Sequence, residues 1–359
     1  MKFLLNTRTD WSEPPRARHQ LARALAENHQ VIFVAINQTG KPSINIKNPE
    51  KNITVITPSW WIYGKYNMRL PFINELYQKW LYKVLIINYA DYIVINFDLT
   101  AVYLNKGITG YIYMCVDNFI ALKRSKSFIV SIYWAYKQKK VIKNAHFCTG
   151  VSKYLHNYLL RYNSKSHLLL SGASCAIQGG SYIDFIGKDK RVNIVYVGWL
   201  FKLNIEWIIA ASKNKNYNIY LIGPGFNNNL NQLKQIDNII FTGELIGESL
   251  AKIMIKANIC IAPYIRDRDT EEVYTMPNKF WLYLSFGLPI VTCHIKNLAD
   301  LPAGFVYQSK NESEFITNID KAIIENSHDI FKKRIGFIQK NTWDNRVDEL
   351  SDLYKKYAV

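Results

Sequence analysis

Residues 274–292 read Tyr274-Thr-Met-Pro-Asn-Lys-Phe-Trp-Leu-Tyr-Leu-Ser-Phe-Gly-Leu-Pro-Ile-Val-Thr292, and this segment joins a loop, a helix and a buried strand. Pro277 is typical of the first turn of a helix, and Gly287 of the position just past its end. Lys279 is then predicted in the first turn, where free backbone N–H groups and the helix dipole favour a phosphate group. The alternative is an ordinary helix–strand connection whose lysine points into water, and the segment alone favours neither.

The composition indicates a large globular protein. Its 359 residues, 49% of them hydrophobic, can bury a sizeable core, and the length favours two domains over one. No apolar run approaches the ~18 residues that cross a bilayer, and the apolar start at residues 3–5 is too short for a signal peptide, so we expect a cytoplasmic chain. Five scattered cysteines without metal-ligand spacing are expected to be reduced and mostly buried.

The first half of the chain alternates strands and helices. A strand at residues 2–6, a helix at 16–27 and a strand at 31–36 predict a right-handed parallel crossover, and so an α/β domain. Further elements are predicted as strands at 53–57, 92–96, 110–116 and 146–151, and a closing helix at 152–161.

The second half repeats this alternation with near-continuous apolar strands, which are typical of a parallel sheet covered on both faces. Strands are predicted at 192–197, 217–222, 239–241, 259–263, 288–292 and 305–307, helices at 205–211, 248–257 and 279–285, and a helical tail from 312. Because periodicity is lost between 162 and 191, we predict domains at 1–165 and 190–335 and a last helical segment at 336–359. Two doubly wound, Rossmann-like α/β domains would face each other across a cleft at their strand ends, where ligands of such sheets bind.

Three loops that end strands of the second half carry glycines, which let a backbone approach a ligand closely. They read Val197-Gly-Trp-Leu-Phe-Lys202, Ile222-Gly-Pro-Gly225 and Thr242-Gly-Glu244. None is a Gly-x-Gly-x-x-Gly or Walker-type motif, so each loop alone favours an ordinary turn over a binding role.

The order of these loops, followed by Ile259-Cys-Ile-Ala-Pro-Tyr264 and the helix start at Lys279, resembles the donor domain of GT-B-fold glycosyltransferases. The resemblance is strongest to bacterial enzymes that build surface polysaccharides from nucleotide sugars. Asp10-Trp-x-x-Pro-Pro-Arg-x-Arg-His19 and Tyr113-Met-Cys-Val-Asp117 resemble segments of their first domain. Asn341-Thr-Trp-Asp-Asn-Arg346 resembles the last helix of that family, which crosses back onto the first domain.

The resemblance implies a nucleotide sugar, expected to be a UDP-sugar, as substrate, and no cofactor. The donor-binding positions that it implies are Gly198, Trp199, Lys202, Gly223, Gly243, Tyr264, Met276, Pro277, Asn278 and Lys279. Many retaining members carry Glu-x7-Glu, whereas Tyr274 and Leu282 occupy those positions here, which favours an inverting reaction. The loop resembles instead that of the membrane-associated glucuronosyltransferase of xanthan assembly, in which a tyrosine and a lysine contact the nucleotide. We expect no metal, and read Asp267-Arg-Asp269 as a solvated loop segment.

An inverting reaction needs a base that takes the proton of the acceptor hydroxyl, and a carboxylate within hydrogen-bonding reach is a usual solution. Asp117 is the candidate, because it ends an apolar strand and partial burial there could raise its pKa toward the working pH. The alternative is an aspartate that caps the next turn.

Acceptor-binding positions are predicted at the start of the chain: Asp10, Trp11, Arg16, Arg18 and His19. Asp10 and His19 are second choices for the base, although a lone histidine is more often structural or a sugar hydrogen-bond partner. Arg16 and Arg18 could grip an acceptor diphosphate, and solvated helix arginines are the alternative.

The formal charge of +17 predicts an anionic partner. A segment at residues 59–72 mixes aromatic and basic side chains, and a further run at 118–143 holds seven basic residues and no acid. We interpret both as a face on an anionic membrane surface, with contacts from Trp60, Trp61, Tyr63, Lys65 and Arg69. The same mixture could stack on single-stranded nucleic acid or fill the core.

These observations predict a glycosyltransferase, peripheral on the inner face of the plasma membrane, that acts on a lipid-linked saccharide acceptor and binds no nucleic acid. Two other functions stay open. One is a nucleic-acid or anionic-surface binding protein without catalysis, and the other is a sugar-nucleotide epimerase on the same fold.

Overall fold

The computed structural model describes residues 1–104, 109–124, 127–173, 191–265, 276–295, 298 and 301–358, without the side chains of 122–124 and 358. The chain divides into two compact units, Met1–Gly172 with Trp343–Val359, and Ala173–Thr342. Several residues considered above lie outside the described part: Cys175, Asp267, Asp269 and Tyr274. No helix in the described ranges is both long and apolar enough to cross a membrane.

The first unit is built on a nine-stranded sheet in the order β3-β5-β2-β1-β6-β7-β8-β9. The strands are β1 (Lys2–Asn6), β2 (Gln30–Val34), β3 (Gln38–Thr39), β4 (Ser43–Glu50), β5 (Ile53–Trp60), β6 (Ile93–Asn96), β7 (Gly110–Cys115), β8 (Phe147–Gly150) and β9 (Ser166–Leu168). All pairs are parallel except β4, which adds to the edge of β5 in antiparallel register. The sequence reading missed β4, because its residues are mostly polar and exposed.

Helices cover both faces of this sheet. They are α1 (Ala17–Ala26), α2 (Gly64–Asn67), α3 (Pro71–Tyr89), α4 (Phe119–Arg124), α5 (Phe128–Asn144) and α6 (Lys153–Leu160). The sequence reading found α1 and α6 but missed α3 and α5. In both missed helices the buried face mixes polar with apolar residues, and further apolar residues are exposed on the opposite face, so the usual amphipathic pattern is blurred.

The second unit holds a six-stranded sheet, all of it parallel, in the order β12-β11-β10-β13-β14-β15. Its strands are β10 (Val192–Val197), β11 (Tyr217–Ile222), β12 (Ile239–Gly243), β13 (Ile259–Ala262), β14 (Ile290–Cys293) and β15 (Val306–Ser309). Its helices are α7 (Ile205–Ser212), α8 (Gly247–Met254), α9 (Asn278–Ser285), α10 (Glu312–Ile324) and α11 (His328–Gln339), with 3-10 segments at Leu200–Lys202 and Asn228–Gln235. The predicted α/β class is confirmed, since both units are parallel sheets covered by helices.

A last helix, α12 (Trp343–Ala358), packs on the first unit. Trp343, Val347, Leu350 and Tyr354 of this helix join a buried cluster with Leu21 and Leu25 of α1. At the start of β7, a Cβ on Gly110 would lie 2.5 Å from Cε2 of Tyr354. The end of the chain is therefore part of the core of its first unit.

Candidate functional site

In the second unit, loops meet at the carboxyl edge of the sheet. The β10, β11 and β12 ends are tied together, since Gly198 N–H donates to Ile222 O and Gly223 N–H to Gly243 O, both at 2.8 Å. Three of the predicted glycine positions therefore lie on neighbouring strands of one edge. In doubly wound sheets this edge is where ligands bind.

Two of these glycines have no space for a side chain. Gly198 has φ +135°, and a Cβ there would lie 2.6 Å from the Lys279 Nζ atom. Gly223 has φ +138°, and its Cβ would lie 2.2 Å from the Gly198 carbonyl oxygen. Other residues rarely adopt this backbone conformation, so glycine is needed at both positions to bring the two loops and the lysine together.

Lys279 reaches this edge from the first turn of α9. Pro277 is the N-cap residue of that helix, and the first turn carries no acidic residue. The Lys279 ammonium lies 3.9 Å from the ring centre of Tyr196 and 5.1 Å from that of Tyr264. The cation is therefore held against two aromatic faces beside the helix N-terminus.

The environment of Lys279 disfavours its positive charge. Desolvation by burial lowers the pKa of Lys279 well below its ordinary value, and the positive charge of Lys202 lowers it further. Within the described part of the chain, no carboxylate forms an ion pair with it. Two neighbouring cations without a described counter-charge would attract a polyanion such as a diphosphate.

Tyrosines fix the frame around the lysine. Tyr283 of α9 accepts a hydrogen bond from Val197 N–H at 2.8 Å, which ties the helix to the end of β10. The Tyr196 hydroxyl donates to Trp199 O at 2.9 Å. Tyr264 is buried, and its backbone forms an isolated antiparallel β-bridge with Leu203. Sequence reasoning missed Tyr196 and Tyr283, whose only signal is a tyrosine within a buried apolar strand or helix.

Aromatic rings stand exposed at the same edge. Trp199 is 53% exposed and Phe201 47% exposed, and their ring centres are 5.5 Å apart. A Cβ on Gly225 would lie 3.0 Å from both rings, so the backbone of that loop lies against them. Exposed rings of this kind can stack on a flat base. Of the remaining predicted donor positions, Met276 is buried and Asn278 is exposed.

In the first unit, Asp117 follows β7 at the carboxyl edge of the sheet. Its Oδ1 accepts the N–H of Asn118 at 2.8 Å, while Asn118 Oδ1 accepts from Ala121 N–H at 3.1 Å at the start of α4. The residue that caps the next helix is therefore Asn118. Asp117 is half-buried and its negative charge favours the charged form of Arg18.

Arg18 is a second cation with little compensation. Burial and the nearby charge of Arg16 lower the pKa of Arg18 to about 10. Its Nη1 donates to Thr9 Oγ1 at 2.7 Å, while its buried Nε has no hydrogen-bond partner among the described residues. Arg16 itself is exposed and forms an ion pair with Glu13.

A buried network that the sequence reading missed lies beside these residues. Arg8 donates to Asp98 Oδ2 at 2.6 Å and to Asn74 Oδ1 at 2.8 Å. Gln78 also donates to Asp98, at 2.8 Å. Although burial raises the pKa of Asp98, the Arg8 charge and hydrogen bonds from Thr100 hold it below its ordinary value. The network links α3 to the ends of β1 and β6.

Three of the predicted contacts at the chain start have structural partners. His19 is fully buried; its Nδ1 accepts from Arg16 N–H and its Nε2 bonds Asp10 O, both at 3.0 Å. The assignment of His19 as an acceptor ligand or base is therefore wrong, because both ring nitrogens are used. Trp11 packs edge-on against Phe33, with ring centres 4.9 Å apart. The Asp10 carboxylate accepts hydrogen bonds from Ser12 and Gln38.

One predicted membrane contact is also wrong. Trp60 is only 4% exposed and packs against Tyr77 and Trp80 in the core of the first unit. Trp61 and Lys65 are exposed, whereas Tyr63 and Arg69 are half-buried. Trp60 ends a strand whose alternate residues face inward, and the aromatic composition of the segment concealed that alternation.

No group of three His, Cys, Asp or Glu side chains in the described ranges is arranged to hold a metal ion. The four described cysteines are buried and form no disulfide with one another: Cys115, Cys148, Cys260 and Cys293. Asp267 and Asp269 fall in the part that the structure does not describe.

Comparison with known proteins identifies the second unit. Residues 191–325 match the family model described as Glycosyl transferases group 1. The whole chain has the fold of solved GT-B structures. The second unit is therefore similar to a group 1 glycosyltransferase domain, and the chain as a whole has the GT-B fold. A search of curated proteins gives no match.

Three similar structures illustrate how much of the chain the fold comparison covers. A trehalose-6-phosphate structure from E. coli, bound with UDP-2-fluoro glucose, is 10% identical, with a TM-score of 0.71 over 98% of this chain and 99% of that one. The lipopolysaccharide outer core galactosyltransferase WaaB is 13% identical, with a TM-score of 0.65 over 97% and 98%. HepE of Anabaena, in complex with UDP and glucose, is 11% identical, with a TM-score of 0.62 over 98% and 99%. The predicted GT-B fold is confirmed by these likenesses.

Proposed function

We propose that this glycosyltransferase moves a sugar from a UDP-sugar to a lipid-linked or growing saccharide acceptor in bacterial surface polysaccharide synthesis, with inversion at the anomeric carbon. The observation that carries the donor half is Lys279, a desolvated cation beside Lys202 in the first turn of α9. A diphosphate would supply the counter-charge that the described residues do not. Two of the similar structures hold UDP or a UDP-sugar analogue, and a third is a lipopolysaccharide galactosyltransferase.

In the proposed reaction, the acceptor oxygen attacks the anomeric carbon while the bond from that carbon to the diphosphate breaks. Lys279 and Lys202 neutralise the negative charge that develops on the departing UDP. The exposed rings of Trp199 and Phe201 are the proposed stacking surface for uracil. Asp117 accepts the proton of the acceptor hydroxyl, and Arg18 offers its charge to an acceptor phosphate.

Calorimetry with UDP, GDP and dTDP tests the donor site. We expect UDP to bind the wild-type chain, and Lys279→Met to weaken binding about tenfold or more, because a charge-assisted contact to phosphate is lost. Lys213→Met, which removes an exposed lysine at the end of α7, is the matched control and should bind normally. Equal UDP affinity in the Lys279→Met variant and the wild type would refute the site.

The catalytic assignment is tested separately with Asp117→Asn. This variant should bind UDP normally and lose transfer by about 100-fold or more, the usual contribution of a general base. Normal transfer by Asp117→Asn would contradict the role of Asp117. Conversion of a UDP-sugar without any acceptor would favour the epimerase instead.

A further inference from the structure

Helix α5 exposes apolar side chains near its start, and its buried face carries polar side chains as well as apolar ones. Ile129 is 75% exposed and Ile132 54% exposed, whereas Lys137 and Gln138 are buried. The buried polar groups have partners, since Lys137 pairs with Glu75 and Gln138 Nε2 donates to Tyr113 OH at 2.8 Å. Because these partners fix the rotation of the helix, the outward apolar side chains are a built feature of the surface.

Helix α3 shows the same mixture of polar and apolar residues on its buried face. Asn74 and Gln78 are buried, and Asn74 Nδ2 donates to Tyr133 OH of α5 at 2.9 Å. Phe72, by contrast, is 75% exposed, and Leu76 is exposed one turn later. Both helices thus begin with exposed apolar residues.

The two helices lie side by side and run in the same direction. Trp134 Nε1 of α5 donates to Met68 O, just before α3, at 2.8 Å, and Lys137, further along α5, pairs with Glu75, further along α3. Their first turns therefore lie near each other and expose a surface of apolar side chains. We call it the apolar face, and it consists of the exposed residues Leu70, Phe72, Leu76, Phe128, Ile129, Ile132 and Tyr136.

Lysines continue each stripe beyond the apolar face. On α3, Lys79 and Lys83 follow Phe72 and Leu76 at helical spacing, and on α5, Lys140 and Lys143 follow Ile132 and Tyr136. All four lysines are exposed, and α5 contains no acidic residue. The Lys140 ammonium lies 4.5 Å from the ring centre of Tyr136, at the border of the two zones. The surface is therefore apolar at the start of the two helices and mostly basic further along, where Ile87, 80% exposed, follows Lys83 on α3.

We infer that the apolar face and its lysines dock on an anionic lipid bilayer. Side chains such as Phe72 and Ile129 would enter the boundary between headgroups and acyl chains, while the lysines meet anionic headgroups, each contributing about 1 kcal/mol. A second copy of the chain is disfavoured as the occupant, because an isologous contact around this face would bring rows of lysines together. Exposed aliphatic side chains offer nothing to a nucleic-acid phosphate.

The apolar face also lies close to the proposed acceptor site, and this part of the inference rests on the proposed function. Arg8 and Asp98, at the carboxyl ends of β1 and β6, bond Asn74 and Gln78 beneath the start of α3. The apolar face therefore borders the sheet edge that carries Arg18 and Asp117. An acceptor on a lipid carrier would reach that edge without leaving the bilayer.

Cosedimentation with vesicles tests the inference on the whole chain. We expect binding to vesicles of phosphatidylcholine with 30% phosphatidylglycerol at low salt, weaker binding at 0.5 M salt, and little binding to phosphatidylcholine alone. Ile129→Ser with Ile132→Ser should weaken binding about tenfold. Ile324→Ser, which changes an isoleucine 82% exposed on α10 of the second unit, is the matched control and should bind as the wild type does.

Four outcomes would overturn the inference: no binding of the wild type, equal binding to neutral vesicles, unchanged binding of the double variant, or an equal loss in the control. A dimer that the double variant abolishes, without vesicle binding, would assign the face to a second copy. UDP calorimetry needs no vesicles, so the two proposals can fail separately. Absence of UDP binding would refute the donor site without affecting the docking face, and absence of vesicle binding would refute the docking face without affecting the donor site.

Discussion

The Lys279 side chain combines two properties that seldom occur together, a desolvated charge and no ion-pair partner among the described residues. Such a group lowers the stability of the folded chain unless a ligand supplies the counter-charge. We expect Lys279→Met to raise the free energy of unfolding of the ligand-free second unit by about 1 kcal/mol, because it removes a poorly compensated charge. Calorimetric melting of wild type and variant measures the difference.

With saturating UDP the wild type should become more stable than Lys279→Met, since a ligand that binds only the folded state stabilises it by mass action. Lys202→Met is the control without ligand, and because Lys202 is exposed its effect should stay within about 0.5 kcal/mol. If Lys279→Met destabilises the ligand-free chain as a lost packing residue would, the lysine is structural.

The burial of His19 should make the stability of the folded chain depend on pH. Desolvation by burial lowers the pKa of His19 below its ordinary 6.5, although its bond to Asp10 O opposes the shift. Below about pH 6.5 His19 is protonated in the unfolded chain but still neutral in the folded chain. The free energy of unfolding therefore falls as the pH drops from about 6.5 toward the lower pKa of His19 in the folded chain. His19→Gln should show a smaller loss of stability between pH 7.5 and 5.5 in urea titrations, and an equal loss in both proteins would contradict the assignment.

The glycine loops at the carboxyl edge of the second sheet should tolerate side chains poorly where Lys279 lies against them. Gly198→Ala places a methyl group against the Lys279 ammonium at a φ of +135°, so the loop or the lysine must move. We expect a destabilisation of about 1–3 kcal/mol from backbone strain and, beyond it, a loss of UDP binding at protein concentrations where the chain remains folded. Melting curves and calorimetry separate the two effects.

Gly243→Ala is the matched control on the same sheet edge. Its φ is +73°, yet a Cβ there would meet nothing within 4 Å, so only the cost of the left-handed backbone, about 1–2 kcal/mol, is expected. Equal loss of UDP binding in both variants would show that loop strain, and not the space beside Lys279, governs the site.

The elements also show what the sequence could predict. Buried parallel strands such as β1, β10 and β11 were located with their observed bounds, because continuous apolar runs are a direct signal of burial on both faces. Helices α3 and α5 were missed because buried polar residues and exposed apolar residues blur their periodicity. Trp60 was assigned to the surface because the composition of a segment does not show which of its residues alternate inward. The contact of Lys279 with Tyr196 joins residues 83 positions apart, which no local pattern encodes.

At the scale of the whole molecule, the last helix is expected to hold the first unit together. Truncation after Thr342 removes the side chains that α12 contributes to the buried cluster around Leu21 and Leu25. The free energy that several core side chains contribute exceeds the free energy of unfolding of most domains. The first unit should therefore unfold while the second stays folded. Limited proteolysis should then leave a fragment close to 173–342, and an intact, protease-resistant first unit would contradict this division.

The central claim is that the carboxyl edge of the second sheet receives the diphosphate of a UDP-sugar at Lys279. Crystals of the whole chain soaked with UDP test it most directly, because the atoms concerned are then seen together. The account predicts a phosphate oxygen within about 3 Å of the Lys279 Nζ atom, with the uracil against Trp199 or Phe201. UDP bound elsewhere, or an ammonium at 279 turned away from the bound phosphate, would contradict it.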